Sequence, residues 1–315
     1  MQNLDINFFG THHFAAIILQ KLIDCPFIKI RTIFTMPDRP VGRKQELQSS
    51  PVKIFAEKYG LKIEQPITLK NYELEIRNYG LNVVVDYGML IPQNIIDAPK
   101  FGTINVHPSL LPKYRGPSPI QSALMNGEKE TGVSIMLIDA KMDHGPILTK
   151  KTIQIDKDDT YPVLAKKLAG MASTMLIEAI ESYVAGKIIS QPQNDKLATF
   201  CQFLTREDGR VNFNKTAPEI YNQYRGLAPW PGVYVEIKNE KLKMKNYRLK
   251  LLKIITSDKM IDVGKMAFDK DKIFIGCNDG AIEVLELQLE GKKAMSAKDF
   301  INGNKQLNNM SLRGA

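Results

Sequence analysis

The sequence predicts an α/β protein: a doubly wound, mainly parallel sheet followed by a small β-barrel domain. Three observations predict it. Residues 4–9 read as a buried strand that ends at Gly10 and passes into helical spacing over 14–23, the strand–turn–helix opening of a doubly wound sheet. Residues 81–85 and 103–107 read as further strands, the first of them strongly apolar. The last part of the chain carries short runs at 233–237, 249–255, 265–268, 272–277 and 281–289 with brief turns between them, a barrel pattern. A length of 315 residues also favours two domains over one.

Taken in order, the first turn, Gly10-Thr11-His12-His13, has one glycine where a dinucleotide site needs Gly-x-Gly-x-x-Gly, so that site is rejected. His12 and His13 are adjacent, their side chains diverge, and they read as solvated loop histidines rather than ligands of one ion. A second strand spans 28–35. Residues 36–50 make a longer connection than strand-to-helix loops usually do. It carries Arg39, Arg43 and Lys44 against Asp38 and Glu46, and Pro37, Pro40 and Gly42 shape it. It is either a basic finger for phosphates or a solvated loop. Pro51 opens a helix to 59, a short strand follows at 61–64, and a helix at 69–78. After the strand at 81–85, the apolar, glycine-containing segment 86–92 either walls a flat ring pocket or packs internally.

In the strand at 103–107, side chains alternate between faces, so Asn105 and His107 share one face while Ile104 and Val106 enter a core. Pro108, Pro112, Pro117 and Pro119 stop any regular element beyond it. An amide and an imidazole side by side at a strand end suit an oxyanion site; the other reading is a turn residue and a packed histidine. A helix over 119–125 stops at Asn126-Gly127, and a strand spans 131–138. Asp143 lies in a turn with Gly145 and Pro146. It either caps backbone N–H groups or lies beside His107 and favours its charged form. A strand at 147–155 precedes a long helix, capped by Asp159 or Thr160 and ended by Gly186, with apolar positions at Val163, Leu164, Leu168, Met171, Leu176, Ile177 and Ile180. Residues 188–202 read as a linker and 217–227 as a helix. Between 237 and 253 the cations Lys238, Lys241, Lys243, Lys245, Arg248, Lys250 and Lys253 face only Glu240, and Ser296 with Asp299 resembles a capping box.

Composition narrows the partners. No apolar run reaches membrane-spanning length, and the chain enters a strand pattern too early for a signal or transit peptide. Cys25, Cys201 and Cys277 are too few and too scattered for a disulfide framework or thiolate metal site, so a reducing cytoplasm and no metal are expected. A net charge of +9 points to a polyanionic partner, nucleic acid first.

The motifs Asn105-Val-His107-Pro-Ser-Leu-Leu-Pro112, Arg115-Gly-Pro-Ser-Pro-Ile-Gln121 and Met142-Asp143-His-Gly-Pro-Ile-Leu148 resemble the signature of the 10-formyltetrahydrofolate-dependent formyltransferases. The resemblance implies Asn105, His107 and Asp143 as the catalytic trio of a Rossmann-like domain. It implies 10-formyltetrahydrofolate as co-substrate, contacted by Tyr87, Gly88, Met89 and Leu90 and by Ser109, Leu110, Leu111 and Pro112. Within the family, Phe34-Thr-Met-Pro-Asp-Arg-Pro-Val-Gly-Arg43, Phe203–Phe213, Ala228-Pro-Trp-Pro-Gly232 and Leu287–Phe300 resemble the branch whose acceptor is initiator methionyl-tRNA. That implies an OB-like C-terminal barrel and tRNA contacts from Arg39, Arg43 and Lys44; Lys241, Lys243, Lys245 and Arg248 are either a tRNA-binding face of such a barrel or a solvated basic face. The resulting expectation is a monomeric, cytoplasmic enzyme with a catalytic domain at 1–188, a linker at 189–206 and a tRNA-binding barrel at 207–315. The alternatives are another amine acceptor (an amino sugar or glycinamide nucleotide), hydrolysis of the formyl-folate, or a catalytically idle RNA-binding relative. Three positions depart from the family pattern: His12-His13 after Gly-Thr, Asp86 before Tyr87, and His144 after Asp143.

Overall fold

The computed structural model of the chain describes residues 3–42, 45–70, 72, 80–237 and 247–312. It divides into two compact units, Met1–Pro119 with Glu130–Gln154 and Leu164–Cys201, and Ile120–Lys129 with Ile155–Val163 and Gln202–Ala315.

In the first unit β1 (Leu4–Gly10) leads through α1 (His13–Ile23) to β2 (Ile28–Phe34). The connection after β2 is a hairpin of β3 (Arg39–Val41) and β4 (Glu46–Gln48), with Arg39 opposite Gln48 and Pro40 opposite Leu47. Gly42, at φ +72°, supplies the left-handed residue its turn requires. α2 (Pro51–Lys58) starts as expected: Ser50 accepts from the Lys53 N–H and Pro51 sits in the first turn. β5 (Ile63–Glu64), β6 (Leu81–Val85), the short α3 (Gln93–Ile96) and β7 (Thr103–His107) follow. Beyond α4 (Pro119–Met125), β8 (Glu130–Leu137) and β9 (Ile147–Gln154) complete the sheet. The strand order is β5-β2-β1-β6-β7-β8-β9. The first five strands are parallel, and β8 and β9 extend the sheet antiparallel.

A buried polar row sets the register of the three central strands. Asn7 on β1 donates to Asn82 on β6, and Asn82 donates to Thr103 on β7 and to the Ile95 carbonyl. Thr103 closes the row on the Ile96 carbonyl. A slip of one residue would leave these groups unpaired in the core.

The helix expected at 69–78 falls largely on residues 71 and 73–79, outside the described residues. α5 (Tyr161–Val184) is present, and Gly186 ends it at φ +70°. Its buried face contains the expected Leu164, Leu168, Leu176 and Ile180, while Val163 is 46% exposed. Ala169, Ala172, Ser173 and Ala179 widen that face, small residues that a count of large apolar positions passes over.

The second unit contains α6 (Ala217–Leu227), opened by a full capping box between Thr216 and Glu219. Its strands are β10 (Val233–Ile237), β11 (Tyr247–Ser257), β12 (Lys265–Asp269), β13 (Lys272–Cys277), β14 (Gly280–Leu289), β15 (Met295–Ser296) and, after α7 (Ala297–Gly303), β16 (Met310–Ser311). They pair antiparallel in the order β10-β11-β14-β13-β12-β16, with β15 on β14. This half-barrel is consistent with an OB-like domain. Phe213, Ile220, Leu227, Val235, Leu251, Ile275, Val284 and Phe300 fill its core. Ser296 caps α7 as expected by accepting from the Asp299 N–H.

Candidate active site

β7 delivers Asn105 and His107 to one face, and Asp143 meets them there. Asn105 Nδ2 donates to Asp143 Oδ1 at 3.4 Å, and His107 Nδ1 lies 3.7 Å from the same oxygen. The second carboxylate oxygen accepts the Gly116 N–H at 2.8 Å. On the far side of the imidazole, Nε2 lies 2.8 Å from the Tyr114 carbonyl. Both ring nitrogens therefore face oxygens, Nε2 at hydrogen-bond distance and Nδ1 beyond it. His107 is only 4% exposed and Asp143 is half-buried. An amide donor and an imidazole gathered around one carboxylate can stabilise an oxyanion and move a proton.

The turn that carries Asp143 has little freedom. Asp143 sits at φ +47°, in the left-handed region. A Cβ on Gly145 would lie 1.9 Å from the Leu137 carbonyl oxygen, and one on Gly116 would lie 2.3 Å from that of Cys201. Residues read as a linker lie along this site. Gln191 pairs with Ile147, Thr199 and Cys201 bond to Pro112 and Arg115, and the Arg115 N–H donates to the Thr199 carbonyl.

The expected folate segments divide by exposure. Ser109 is fully buried and donates to the Lys113 carbonyl at 2.6 Å, while Ser134 ties the backbone of Ser109 and Leu111. Leu111 is likewise buried, and Leu110 and Pro112 are partly exposed. Tyr87 is 2% exposed, packs edge-on against Phe9, and has no hydroxyl partner among the described residues. Burial pushes its hydroxyl up to about 12. Gly88 and Leu90 are exposed, Leu90 at 85%, and Met89 is half-buried.

At the hairpin, Asp38 accepts from Lys53 at 2.6 Å and from Ser49 and Gln65. Lys53 and Gln65 hold its carboxyl below the usual range. The acid that seemed to offset the basic loop is thus neutralised at its base, and Arg39 stands exposed. Arg39 lines a cavity of ≈ 640 Å³ with His12, His13, Ser49, Lys58 and Gly88, and none of the trio lines it. Arg43, Lys44, Lys241, Lys243 and Lys245 lie outside the described residues. Arg248 is engaged, bonded to Glu207 at 3.4 Å and stacked 4.7 Å from the Tyr234 ring.

The departures from the family pattern find partners. His12 Nδ1 meets Asp86 Oδ1 at 3.0 Å, and that hydrogen bond raises the His12 pKa. His144 bridges Asp139 at 2.6 Å and Asp195 at 3.3 Å. His12 is exposed, as expected from the sequence, but its pairing with Asp86 was not expected; the signal available was the complementary charge of two unusual residues. Among the described residues, no group of three His, Cys, Asp or Glu side chains is placed to hold a metal.

A formyl transferase is the class of enzyme that this sheet and this trio define. The formyl transferase family model matches residues 5–180, and that of the formyl transferase C-terminal domain matches residues 204–305. The chain belongs to the formyl transferase family. It is 40% identical over 307 residues to the methionyl-tRNA formyltransferase of Caldicellulosiruptor saccharolyticus, covering 96% of this chain and 97% of that one. It is also 40% identical over 304 residues to that of Thermodesulfovibrio yellowstonii, covering 95% and 96%. The branch of the family is therefore that of the methionyl-tRNA formyltransferases. Among solved structures, an N-formyltransferase of Helicobacter canadensis in complex with folinic acid and dTDP-3-aminofucose shares the fold, with a TM-score of 0.64, 19% identity, and coverage of 90% of this chain and 98% of that one.

Proposed function

We infer that the chain transfers the formyl group of 10-formyltetrahydrofolate to the α-amine of methionine on initiator methionyl-tRNA. The observation that carries this reading is the meeting of Asn105, His107 and Asp143 around one carboxylate oxygen, in a chain similar along its length to methionyl-tRNA formyltransferases. The neutral amine attacks the formyl carbon, the carbonyl oxygen becomes an oxyanion, and the bond from carbon to the folate nitrogen then breaks. The amine gives up a proton and the departing nitrogen takes one. Asn105 donates to the oxyanion, His107 stabilises it or relays the proton, and Asp143 orients both.

Gly88 and Leu90, with the half-buried Met89, Leu110 and Pro112, are the members of the folate segments that reach the surface and so the ones a folate ring can touch; Tyr87, Ser109 and Leu111 support them from within. Arg39, with Arg43 and Lys44, grips phosphates near the acceptor end, and Lys241, Lys243, Lys245 and Arg248 add weaker contacts. We assign catalysis to residues 1–188 and tRNA binding to 207–315, with 189–206 between them, the part up to Cys201 folding with the first unit, in a monomeric cytoplasmic enzyme. No helix among the described residues is long and apolar enough to cross a membrane, in keeping with that location.

One assay tests the reading. The protein, 10-formyltetrahydrofolate and charged initiator tRNA should together yield formyl-methionyl-tRNA. Release of formate without that product would favour hydrolysis, and turnover only with an amino sugar or glycinamide nucleotide would replace the acceptor.

A further inference from the structure

Gln193 lies in the segment that composition marks as a linker, yet its side chain is saturated with contacts to the catalytic turn. Its Nε2 donates to the carbonyls of Asp143 and Gly145, each at 2.9 Å. Its Oε1 accepts from Arg115 Nε at 3.1 Å and from an Arg115 terminal nitrogen at 2.9 Å. Arg115 is 4% exposed and also donates to Asp195 at 2.7 Å. Both amide hydrogens and the amide oxygen are therefore committed. The orientation of the amide is set by Arg115, which offers only donors and so requires an oxygen on its side.

We propose that Gln193, oriented by Arg115, is a positioning residue for catalysis: it holds the Asp143 and Gly145 carbonyls, on either side of His144, so that the Asp143 carboxylate stays beside Asn105 and His107. The need for such a clamp is visible in the turn. Asp143 occupies a left-handed conformation that a non-glycine residue adopts only when its surroundings hold it there. Its own side chain contributes one short bond, to Gly116, while its contacts to Asn105 and His107 are 3.4 and 3.7 Å long. Without the bonds from Gln193, the turn would relax toward a commoner conformation and carry the carboxylate away from both partners. His144 continues the same network in this chain, joining Asp195 to Asp139 across the turn. Arg115 and His144 together hold the Asp195 carboxyl below its usual range, Arg115 being the larger cause.

This inference rests on the formyl-transfer reading for its kinetic consequence and on geometry alone for its structural one, so the two are tested together and fail separately. Gln193→Glu preserves shape and the bond to Arg115 but replaces the donor with an acceptor that faces two carbonyls. Gln193→Asn keeps the amide and shortens its reach. Each variant is expected to lose about tenfold to hundredfold in kcat, the scale of a displaced catalytic group. KM for tRNA should stay within about threefold, and the melting midpoint close to the parent's. A residue of merely structural importance would lower stability without that split. In carbon–proton spectra the His107 ring resonance should move in both variants while that of His13 does not. A kcat within twofold of the parent in both variants, or an unmoved His107 resonance, overturns the proposal. If the parent itself forms no formyl-methionyl-tRNA, the functional reading falls and the His107 resonance alone decides the clamp.

Discussion

The turn that carries Asp143 and the hairpin that carries Arg39 are both loops of one sheet, and they are built in opposite ways. The turn is fixed at its centre: Gly116 holds the carboxylate, Gln193 holds the backbone, and Gly145 leaves no space for a side chain. The hairpin is fixed at its base, where Asp38 gathers Lys53, Ser49 and Gln65, and its strands stand exposed. The difference matches the roles proposed for the two loops. A reacting carbon requires groups placed to a fraction of an ångström. A phosphate backbone requires charge within reach and tolerates adjustment.

The comparison breaks most readily at the trio. Asn105→Ala or His107→Ala should lower kcat by about a hundredfold to a thousandfold, the usual cost of an oxyanion donor, with little change in tRNA binding. Single-turnover formylation with saturating tRNA measures this. Near-parental turnover in both would remove the catalytic assignment. The next largest effect belongs to Gly145→Ala. Its new methyl would lie 1.9 Å from a β8 carbonyl, so the turn or the strand end must move. A loss of about 1–3 kcal/mol in stability, typical of overpacking, should accompany a loss of kcat. Unfolding by denaturant and steady-state kinetics together would detect a turn that yields without consequence.

The hairpin should respond in the other parameter. Arg39→Ala should raise KM for tRNA, leave kcat nearly intact, and reduce the slope of affinity against salt by about one. A fall in kcat at unchanged KM would place Arg39 with the chemistry and erase the contrast between the two loops.

How far the sequence carried the site depended on the range of the contacts. Asn105 and His107 were legible because strand alternation is local and puts them on one face whatever the rest of the chain does. Local residues left Asp143 open between a turn cap and a partner of His107, since its approach to β7 is a property of the sheet; only the family resemblance joined it to the pair. Gln193 could not be found at all: its partners lie far away in sequence, and a glutamine among polar residues carries no periodic signal. Val163 illustrates a smaller error in the fold. A helix stripe counted from large residues had the right centre, at Leu164, Leu168, Leu176 and Ile180, but missed the alanines and the serine that widen the contact. Tyr87 and Ser109 carry the same lesson for the ligand segments, since motif membership does not say which side chains face outward.

The smallest expected effect concerns the His12–Asp86 pair, and it separates a local electrostatic contact from the rigid turn. The hydrogen bond with Asp86 raises the His12 pKa above its ordinary 6.5, against opposition from burial and from Arg39. A raised value means that the folded state binds this proton more tightly than the unfolded chain does. The resulting stability is fully present below about pH 6.5 and disappears as pH rises through the folded value. Both side chains are well exposed, so the contribution is less than about 1 kcal/mol. Asp86 occupies a left-handed conformation, φ +47°, so Asp86→Asn is the substitution that removes the charge while tolerating that backbone. Melting midpoints of parent and variant should differ at pH 6 and converge by pH 8.5. A difference that stays constant across that range would mean that the pair contributes through packing at the start of α1 rather than through the His12 proton.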